Sequence, residues 1–176
     1  EIKTTGVNST AAWRGERVSA QLLLWTAEGA DGVRCEVAEF RSEGATLPAT
    51  IAQTRFVRYT LSDTTFRASD TPILSADMLD TLSRFDIAPR SVRPVWLTIS
   101  VPQDAQEGVY TSEVVVSHNG RGMVVLPLTL EVQRYALPTP DKWSYHLDLW
   151  QHPTAVVRWF KNWKKKLTGK RLFCIK

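Results

Sequence analysis

The sequence lacks the features that mark several large protein classes. Its 176 residues contain no apolar run of the ~18 or more residues that a membrane-spanning helix needs. Its two cysteines, Cys35 and Cys174, fit no metal-binding spacing, and it has no glycine-rich phosphate loop, dinucleotide fingerprint or serine nucleophile elbow. We therefore expect no membrane span, no cofactor and no resident metal.

Basic residues are concentrated at one end of the chain. Residues 161–176 hold seven of the 22 Lys and Arg residues and no Asp or Glu, so the first 160 residues carry 15 basic against 18 acidic side chains, a net charge of −3. A nucleic-acid-binding domain spreads its basic residues over a folded face. We expect no nucleic-acid partner, and we interpret residues 161–176 as a basic, frayed tail.

Alternation of apolar and polar residues dominates the rest of the sequence and predicts strands with one buried face. The clearest strands are at 17–26, 93–101 and 123–133, with weaker ones near 33–40, 54–61 and 109–118. Cys35 alternates with Val33 and Val37 and is interpreted as a small core residue. The predicted core positions are Val18, Leu22, Leu24, Val95, Leu97, Ile99, Leu126, Leu128 and Leu130.

Turn residues separate the predicted strands. Asn119-Gly120 predicts a type I′ hairpin turn, with His118 as a solvated residue beside it, and residues 102–108 form a breaker-rich connection. The spacing of Leu74, Met78, Leu82 and Phe85 predicts one short helix within 74–86. Many short strands and little helix predict an all-β fold, an antiparallel β-sandwich of immunoglobulin or jelly-roll type with a short C-terminal extension.

A change in composition marks a domain boundary. Leu137-Pro138-Thr139-Pro140 stiffens the chain and ends the alternating pattern, and an aromatic-rich, strand-like run follows at 143–150. The predicted organisation is a β-sandwich over 1–137, a hinge at 138–140, a short segment over 141–160 and the basic tail over 161–176.

Several ordered motifs resemble the domain that precedes the catalytic barrel in glycoside hydrolase family 123. They are Trp13-Arg14-Gly15-Glu16-Arg17-Val18, Val95-Trp96-Leu97-Thr98-Ile99, Val101-Pro102-x-x-Ala105-x-x-Gly108-x-Tyr110, the Leu-Pro-Thr-Pro hinge, and His146-Leu147-Asp148-Leu149-Trp150-Gln151-His152-Pro153. The resemblance covers about residues 10–158. It implies that residues 141–160 correspond to the start of a catalytic barrel and that the chain is truncated just after the first barrel strand.

The same resemblance implies β-N-acetylgalactosaminidase-type chemistry in the complete protein. In that family a neighbouring Asp–Glu pair in the barrel assists attack by the acetamide of the substrate, which is a substrate-assisted exception to the two-carboxylate scheme. This sequence contains no Asp-Glu dipeptide. We therefore expect no catalytic residue and no hydrolase activity in this chain.

Residues near the predicted barrel strand have two interpretations. His146, Asp148 and His152 could suggest a metal site, but three candidates on one strand are a poor zinc site. The resemblance instead implies that Trp150, Gln151 and His152, at the C-terminal end of a barrel strand, belong to the remnant of a substrate-binding pocket. We predict no metal site.

Two functions from different classes stay open. The first is a non-catalytic accessory domain that supports a glycoside hydrolase barrel, the barrel being its partner. The second is a carbohydrate-binding module that contacts glycan through exposed Trp residues, with Trp13, Trp25 and Trp96 as candidates, although packing is the commoner role of Trp. We also predict a secreted, periplasmic or cell-surface bacterial location, and either folding back of residues 143–150 onto the sandwich or a homodimer formed through them.

Overall fold

The computed structural model describes residues 8–62, 73–119 and 121–144, and the described fold is built from strands. The strands are β1 (Asn8–Arg14), β2 (Arg17–Thr26), β3 (Ala30–Val37), β4 (Phe40–Ser42), β5 (Ala45–Leu47), β6 (Ala52–Ser62), β7 (Ile73–Leu79), β8 (Phe85–Ile87), β9 (Ser91–Ser100), β10 (Gly108–His118) and β11 (Arg121–Ala136). Two single 3₁₀ turns, Ala49–Ile51 and Pro140–Lys142, are the only helical elements among these residues. The predicted all-β fold is confirmed.

Two sheets pack face to face to form a sandwich. The seven-stranded sheet has the order β1-β11-β10-β3-β8, with β4 beside β10 and β5 beside β4, and the four-stranded sheet has the order β2-β9-β6-β7. Every pair is antiparallel except β1 with β11. The predicted antiparallel β-sandwich is confirmed, with one parallel pair that alternation could not reveal, because alternation reports which face is buried and not which strand lies alongside.

The chain crosses between the sheets at Gly15, directly after β1. Its N–H donates to the carbonyl of Val101 over 3.0 Å, and its φ of 78° lies in the left-handed region that favours glycine. A Cβ at this position would also meet the side chain of Gln103. The Trp-Arg-Gly-Glu-Arg motif therefore encodes the turn that moves the chain from the first sheet to the second.

The core lies between the sheets and follows the predicted register. Leu22, Val95, Leu97, Ile99, Leu128 and Leu130 are buried, while Val18, Leu24 and Leu126 are partly buried and pack against them. Tyr110 and Phe40 are the largest fully buried side chains, and Tyr110 donates its hydroxyl to the carbonyl of Gln106 over 3.0 Å. All nine predicted core positions are confirmed as members of one cluster.

The predicted helix over 74–86 is wrong. Residues 73–79 form strand β7, paired with β6, and residues 85–87 form strand β8, paired with β3. Leu74, Met78 and Leu82 are exposed rather than buried in a common stripe. The helix-like spacing arose from residues of different elements: Leu74 and Met78 lie on edge strand β7, Leu82 lies in the loop after it, and Phe85 lies in β8.

Asn119 lies in the predicted hairpin turn. Its φ of 40° is left-handed, and His118 pairs with Arg121 across the turn. Gly120 lies outside the described residues. His118 is exposed, as predicted.

The chain divides into two compact units, Glu1–Thr139 and Pro140–Lys176. In the second unit the structure describes only residues 140–144, which contain the turn Pro140–Lys142. Trp143 and Ser144 are not in a strand, and residues 145–150 of the predicted barrel strand lie outside the described part. The hinge at 138–140 and the assignment of 141–160 stay predictions. No helix among the described residues is long and apolar enough to cross a membrane.

Candidate interaction surfaces

The outer face of the four-stranded sheet carries exposed apolar side chains. In β2, Leu23 and Trp25 alternate with the inward-facing Leu22 and Leu24 and are 68% and 50% exposed. Their cross-strand partners in β9 are Pro94 and Val92. Cross-strand partners share a face of a sheet, so Leu23, Trp25 and Val92 lie exposed on one face, with the buried Pro94 between them.

This surface continues across β6 and β7. In β7 Leu79 is 41% exposed, and its partner in β6, Val57, is buried. Beyond a register shift at Arg58/Tyr59, Leu61 pairs with Leu74, and these two side chains are 72% and 69% exposed. The apolar face is defined here by its exposed side chains, which are Leu23, Trp25, Leu61, Leu74, Leu79 and Val92.

The other end of the same outer face is polar. The row that pairs Gln21 with Trp96 continues to Arg55, and the next row contains Ser19 and Thr98. Trp96 is half-buried at the border between the apolar and polar ends. Trp25 pairs with Val92, four residues from Trp96, so the two indoles are attached about 13 Å apart along β9.

Trp13 lies on the other sheet. Its Nε1 donates to Oε1 of Gln133 over 2.9 Å, and its ring centroid is 5.9 Å from that of Tyr135, at an interplanar angle of 53°. These two rings are tilted and cannot offer one flat surface to a sugar. The three tryptophans considered as a stacking platform are therefore dispersed over two sheets.

The outer face of the seven-stranded sheet is mainly polar. Arg34 and Glu36 alternate with inward-facing residues of β3, and their side chains approach to 4.0 Å. Glu113 in β10 and Glu131 in β11 are exposed on the same face. Val109 and Val125 are also exposed there, but they are separated by charged and hydroxyl side chains.

A cleft of ≈ 360 Å³ lies beside β3, β6 and the loop after β7 and contains the buried Asp80. The Arg58 side chain donates to Asp80 Oδ2, with Nε at 2.8 Å, and the Leu82 N–H donates to Oδ1 over 3.1 Å. Hydrogen bonds from Arg58 and then from Leu82 lower the pKa of Asp80. A carboxylate held ionised by such donors is a structural ion pair and a poor general acid.

A second cleft, of ≈ 470 Å³, opens at one end of the sandwich. Its walls include Leu24, Val33 and Val116, and Trp25 and His118 also line it. Cys35, which lines the first cleft, is buried, and burial, followed by the charge of Glu36, raises the pKa of its thiol to about 12. A thiol held in this neutral form is a core group and a weak nucleophile.

Arg93 occupies the point where β6 separates from β9. Its Nη1 donates to the carbonyl of Val57 over 3.0 Å, and its guanidinium lies 4.2 Å from the ring centroid of Phe85 and 5.0 Å from that of Tyr59. Sequence analysis did not identify this arginine or the Arg58–Asp80 pair. The sequence did contain a signal for Arg93, because it occupies an inward-facing position of a strand whose other inward-facing residues are apolar.

The predicted pocket residues Trp150, Gln151 and His152 lie outside the described residues, as do His146 and Asp148. These site assignments therefore stay predictions. Within residues 8–62, 73–119 and 121–144, no group of three or more His, Cys, Asp or Glu side chains is arranged to hold a metal ion.

Comparison with known families identifies one match in sequence. The profile of the family described as "Glycoside hydrolase 123 N-terminal domain" matches residues 1–118. No curated protein matches the chain.

The fold also resembles solved structures. A family 123 glycoside hydrolase from Clostridium perfringens, studied for glycolipid glycan hydrolysis, superposes with a TM-score of 0.75 at 20% identity, over 93% of this chain and 29% of that enzyme. The chain thus spans less than a third of that protein, and at this identity the likeness concerns the fold. Human CEP192 PapD-like domain 7 (TM-score 0.36, 11% identity, 73% of this chain, 82% of that one) and the periplasmic chaperone SfaE (0.38, 10%, 78%, 59%) are too distant to support an argument.

Proposed function

The chain belongs to the family of glycoside hydrolase 123 N-terminal domains, and on this premise we propose that it is a non-catalytic accessory domain. Its partner is a catalytic barrel in the same polypeptide, which hydrolyses N-acetylhexosaminides, with β-N-acetylgalactosaminides as the expected class. Family members carry a catalytic Asp–Glu pair in the barrel, and this sequence contains no Asp-Glu dipeptide. The chemistry therefore resides in the barrel, and such an enzyme acts in the secreted, periplasmic or cell-surface compartment.

The apolar face is the observation that carries this proposal. A domain that supports a neighbour needs a broad apolar surface, whereas a glycan-binding surface needs aromatic rings in one plane with polar groups beside them. Leu23, Trp25, Leu61 and Leu74 expose aliphatic and aromatic groups over three strands of one sheet. The alternative function, a carbohydrate-binding module, requires a platform that Trp13, Trp25 and Trp96 do not form.

An activity assay tests the assignment. We expect the complete polypeptide to release nitrophenol from an aryl β-N-acetylgalactosaminide and the 176-residue chain to release none above the rate in buffer. Activity in the 176-residue chain would contradict a non-catalytic role. Inactivity of a folded complete polypeptide on every N-acetylhexosaminide tried would contradict the proposed enzyme.

A binding assay separates the two functions. The 176-residue chain should migrate through gels containing N-acetylgalactosamine-bearing glycans at the same rate as through plain gels. Retardation that is lost in Trp25→Ala and retained in Trp13→Ala would establish a glycan site on the apolar face and replace the accessory role. The Trp13→Ala variant is the matched control, because Trp13 is also an exposed tryptophan but lies on the other sheet.

A further inference from the structure

Strand β6 separates from β9 after Phe56, although the Tyr59 hydroxyl still donates to the carbonyl of Val92 in β9 over 3.2 Å. Residues 52–56 pair with β9 on one side, but from Val57 onwards the described pairing of β6 is with β7 alone. The antiparallel ribbon formed by residues 57–62 and Ile73–Leu79 is called the arm. It is two strands wide, and an isolated two-stranded ribbon is only marginally stable in water.

The base of the arm is fixed by charged and aromatic side chains. Arg93 bonds to the carbonyl of Val57 and stacks near Phe85, which belongs to the opposite sheet. Arg58 pairs with the buried Asp80, whose own N–H donates to the carbonyl of Phe56 over 2.8 Å. These contacts set the direction in which the arm leaves the sandwich, so the arm is a positioned element.

Both faces of the arm expose apolar side chains. Leu61 and Leu74 point to one side, and on the other side Ile73 and Met78 are each about half exposed. Covering only one face would leave the second in water. Exposed apolar surface of this extent marks a contact with another protein surface.

We propose that the arm inserts into an apolar groove of the catalytic domain of the same polypeptide and thereby holds the two domains together. This inference rests on the proposed function and names the surface through which the accessory domain contacts the catalytic domain. In residues 57–62 and 73–79 the charged side chains are Arg58, which is paired with Asp80, and Asp77. Residues 63–72, which join these strands and contain Asp63, Arg67 and Asp70, lie outside the described part. The described residues of the arm thus carry little free charge, which fits an apolar protein groove better than an acidic glycan, a phosphate backbone or a lipid headgroup.

A tethered neighbour is the occupant that this chemistry favours. A covalent linker gives the second domain an effective concentration on the order of millimolar, so a contact of modest area is enough to stay formed. A second copy of this chain would have to supply the same contact at ordinary solution concentration. The catalytic domain is therefore the occupant, and a second copy is an outcome of the test.

Amide hydrogen exchange provides the direct measurement. In the complete polypeptide we expect the amides of the arm to exchange about tenfold more slowly, or slower still, than in the 176-residue chain, because opening the contact precedes exchange. Amides of β11 should exchange equally in both proteins. Equal exchange of the arm amides in the two proteins would overturn the proposal, and this readout does not depend on hydrolase activity.

A pair of double variants provides the functional measurement. Leu61→Lys with Leu74→Lys places charge on the arm, and the matched control, Val109→Lys with Val125→Lys, places the same charge on two exposed valines of the other sheet. Both should leave the melting temperature of the 176-residue chain unchanged. In the complete polypeptide we expect the arm variant alone to split thermal unfolding into two transitions and to shorten the half-life of activity on heating by about tenfold.

The outcomes separate the two proposals. If the complete polypeptide is an active hydrolase but the arm variant behaves like the control, the arm is not the docking element and the accessory function stands. If the complete polypeptide is inactive but the arm amides are protected, the docking stands and the assigned activity fails. If the 176-residue chain is a dimer that the arm variant alone dissociates, a second copy is the occupant and the proposal is overturned.

Discussion

The two sheets of the sandwich have similar inner faces and different outer faces. Inside, Leu97 of the four-stranded sheet and Leu128 of the seven-stranded sheet are equally buried in one core. Outside, the seven-stranded sheet presents charged residues such as Glu113 and Glu131, whereas the four-stranded sheet presents the apolar face. Contact with solvent explains the charged outer face of the seven-stranded sheet. It does not explain the apolar face of the four-stranded sheet, which fits a surface that another protein covers.

Strand β2 shows the difference within a few residues. Its first half alternates cleanly, with Arg17, Ser19 and Gln21 outside, but Leu23 and Trp25 continue the outer face as apolar residues. A strand whose two faces are both covered reads as a continuous apolar run. The run Leu22-Leu23-Leu24-Trp25 is thus the sequence signal of the apolar face, and it was not recognised as one.

Truncation of the core should give the largest effect and should be similar in both sheets. Leu97→Ala and Leu128→Ala each remove a buried side chain, so we expect each to lower the free energy of unfolding by about 2–5 kcal/mol. Chemical denaturation measures this change. Leu23→Ala is the control on the outer face of the four-stranded sheet. An unchanged melting temperature for both core variants would show that the inner faces are misassigned.

Much of the fold could be predicted because alternation reports burial directly. The strands around Leu22, Leu97 and Leu128 combine a strict period of two with one apolar face, and the nine predicted core positions follow from it. The parallel β1–β11 pair could not be predicted this way, since it joins residues more than 100 positions apart. Strand β7 was missed because exposed leucines at 74 and 82 imitate a helical stripe.

The candidate surfaces were less accessible to prediction than the core. The Arg58–Asp80 pair joins residues 22 positions apart, and the bond from Arg93 to Val57 joins residues 36 positions apart. Periodicity in the sequence does not predict an ion pair or a guanidinium packed between aromatic rings. The arm exists because β6 continues after its pairing with β9 ends at Phe56. Where that pairing ends depends on the register between the two strands. Composition indicated that apolar residues are abundant, but only the fold shows which of them lie on one face.

The base of the arm should give the next largest effect, smaller than that of the core. Asp80 is ionised and buried, and its folded-state pKa lies below the ordinary value of 3.8, so its contribution to stability is present above that pH and is lost as pH falls through the folded pKa. We expect Asp80→Asn to destabilise the chain at neutral pH. The gap between wild type and variant should narrow on acidification from about pH 6 to about pH 2, as linkage requires.

Thermal unfolding across this pH range provides the measurement for Asp80→Asn. Asp104→Asn is the control, because Asp104 is an exposed acid in the connection between β9 and β10. A gap that stays constant with pH would show that the variant acts through packing, and that the ion pair contributes nothing to the base of the arm.

Substitution of residues on the outer faces should change the stability of the chain little, and it should still distinguish the outer face of one sheet from that of the other. Leu23→Ser with Trp25→Ser, and Val109→Ser with Val125→Ser, each replace exposed side chains, so each substitution should shift the free energy of unfolding by about 0.5 kcal/mol or less. Only the first pair should reduce the fluorescence of a dye that binds exposed apolar surface. Equal loss of dye fluorescence in both would remove the contrast between the outer faces.

Removal of residues 141–176 should have the smallest effect on the sandwich. The Leu137 N–H donates to the carbonyl of Arg14 over 2.8 Å, and the Leu137 carbonyl accepts from Gln103 Nε2 over 2.7 Å, and both bonds lie before the cut. We expect the truncated chain to be a soluble monomer with the melting temperature of the 176-residue chain. Calorimetry and light scattering after gel filtration measure the two properties.

The control for this deletion removes only residues 161–176, the basic tail. If the 176-residue chain and this control are dimers while the longer deletion is a monomer, the contact between copies lies within residues 141–160, where the predicted homodimer places it. If the longer deletion alone unfolds the protein, the segment after Pro140 is an integral part of the sandwich and the predicted boundary at 138–140 is misplaced. The contrast between the outer faces would then have to be redrawn, because a strand of the sandwich itself could cover the apolar face that we assign to another domain.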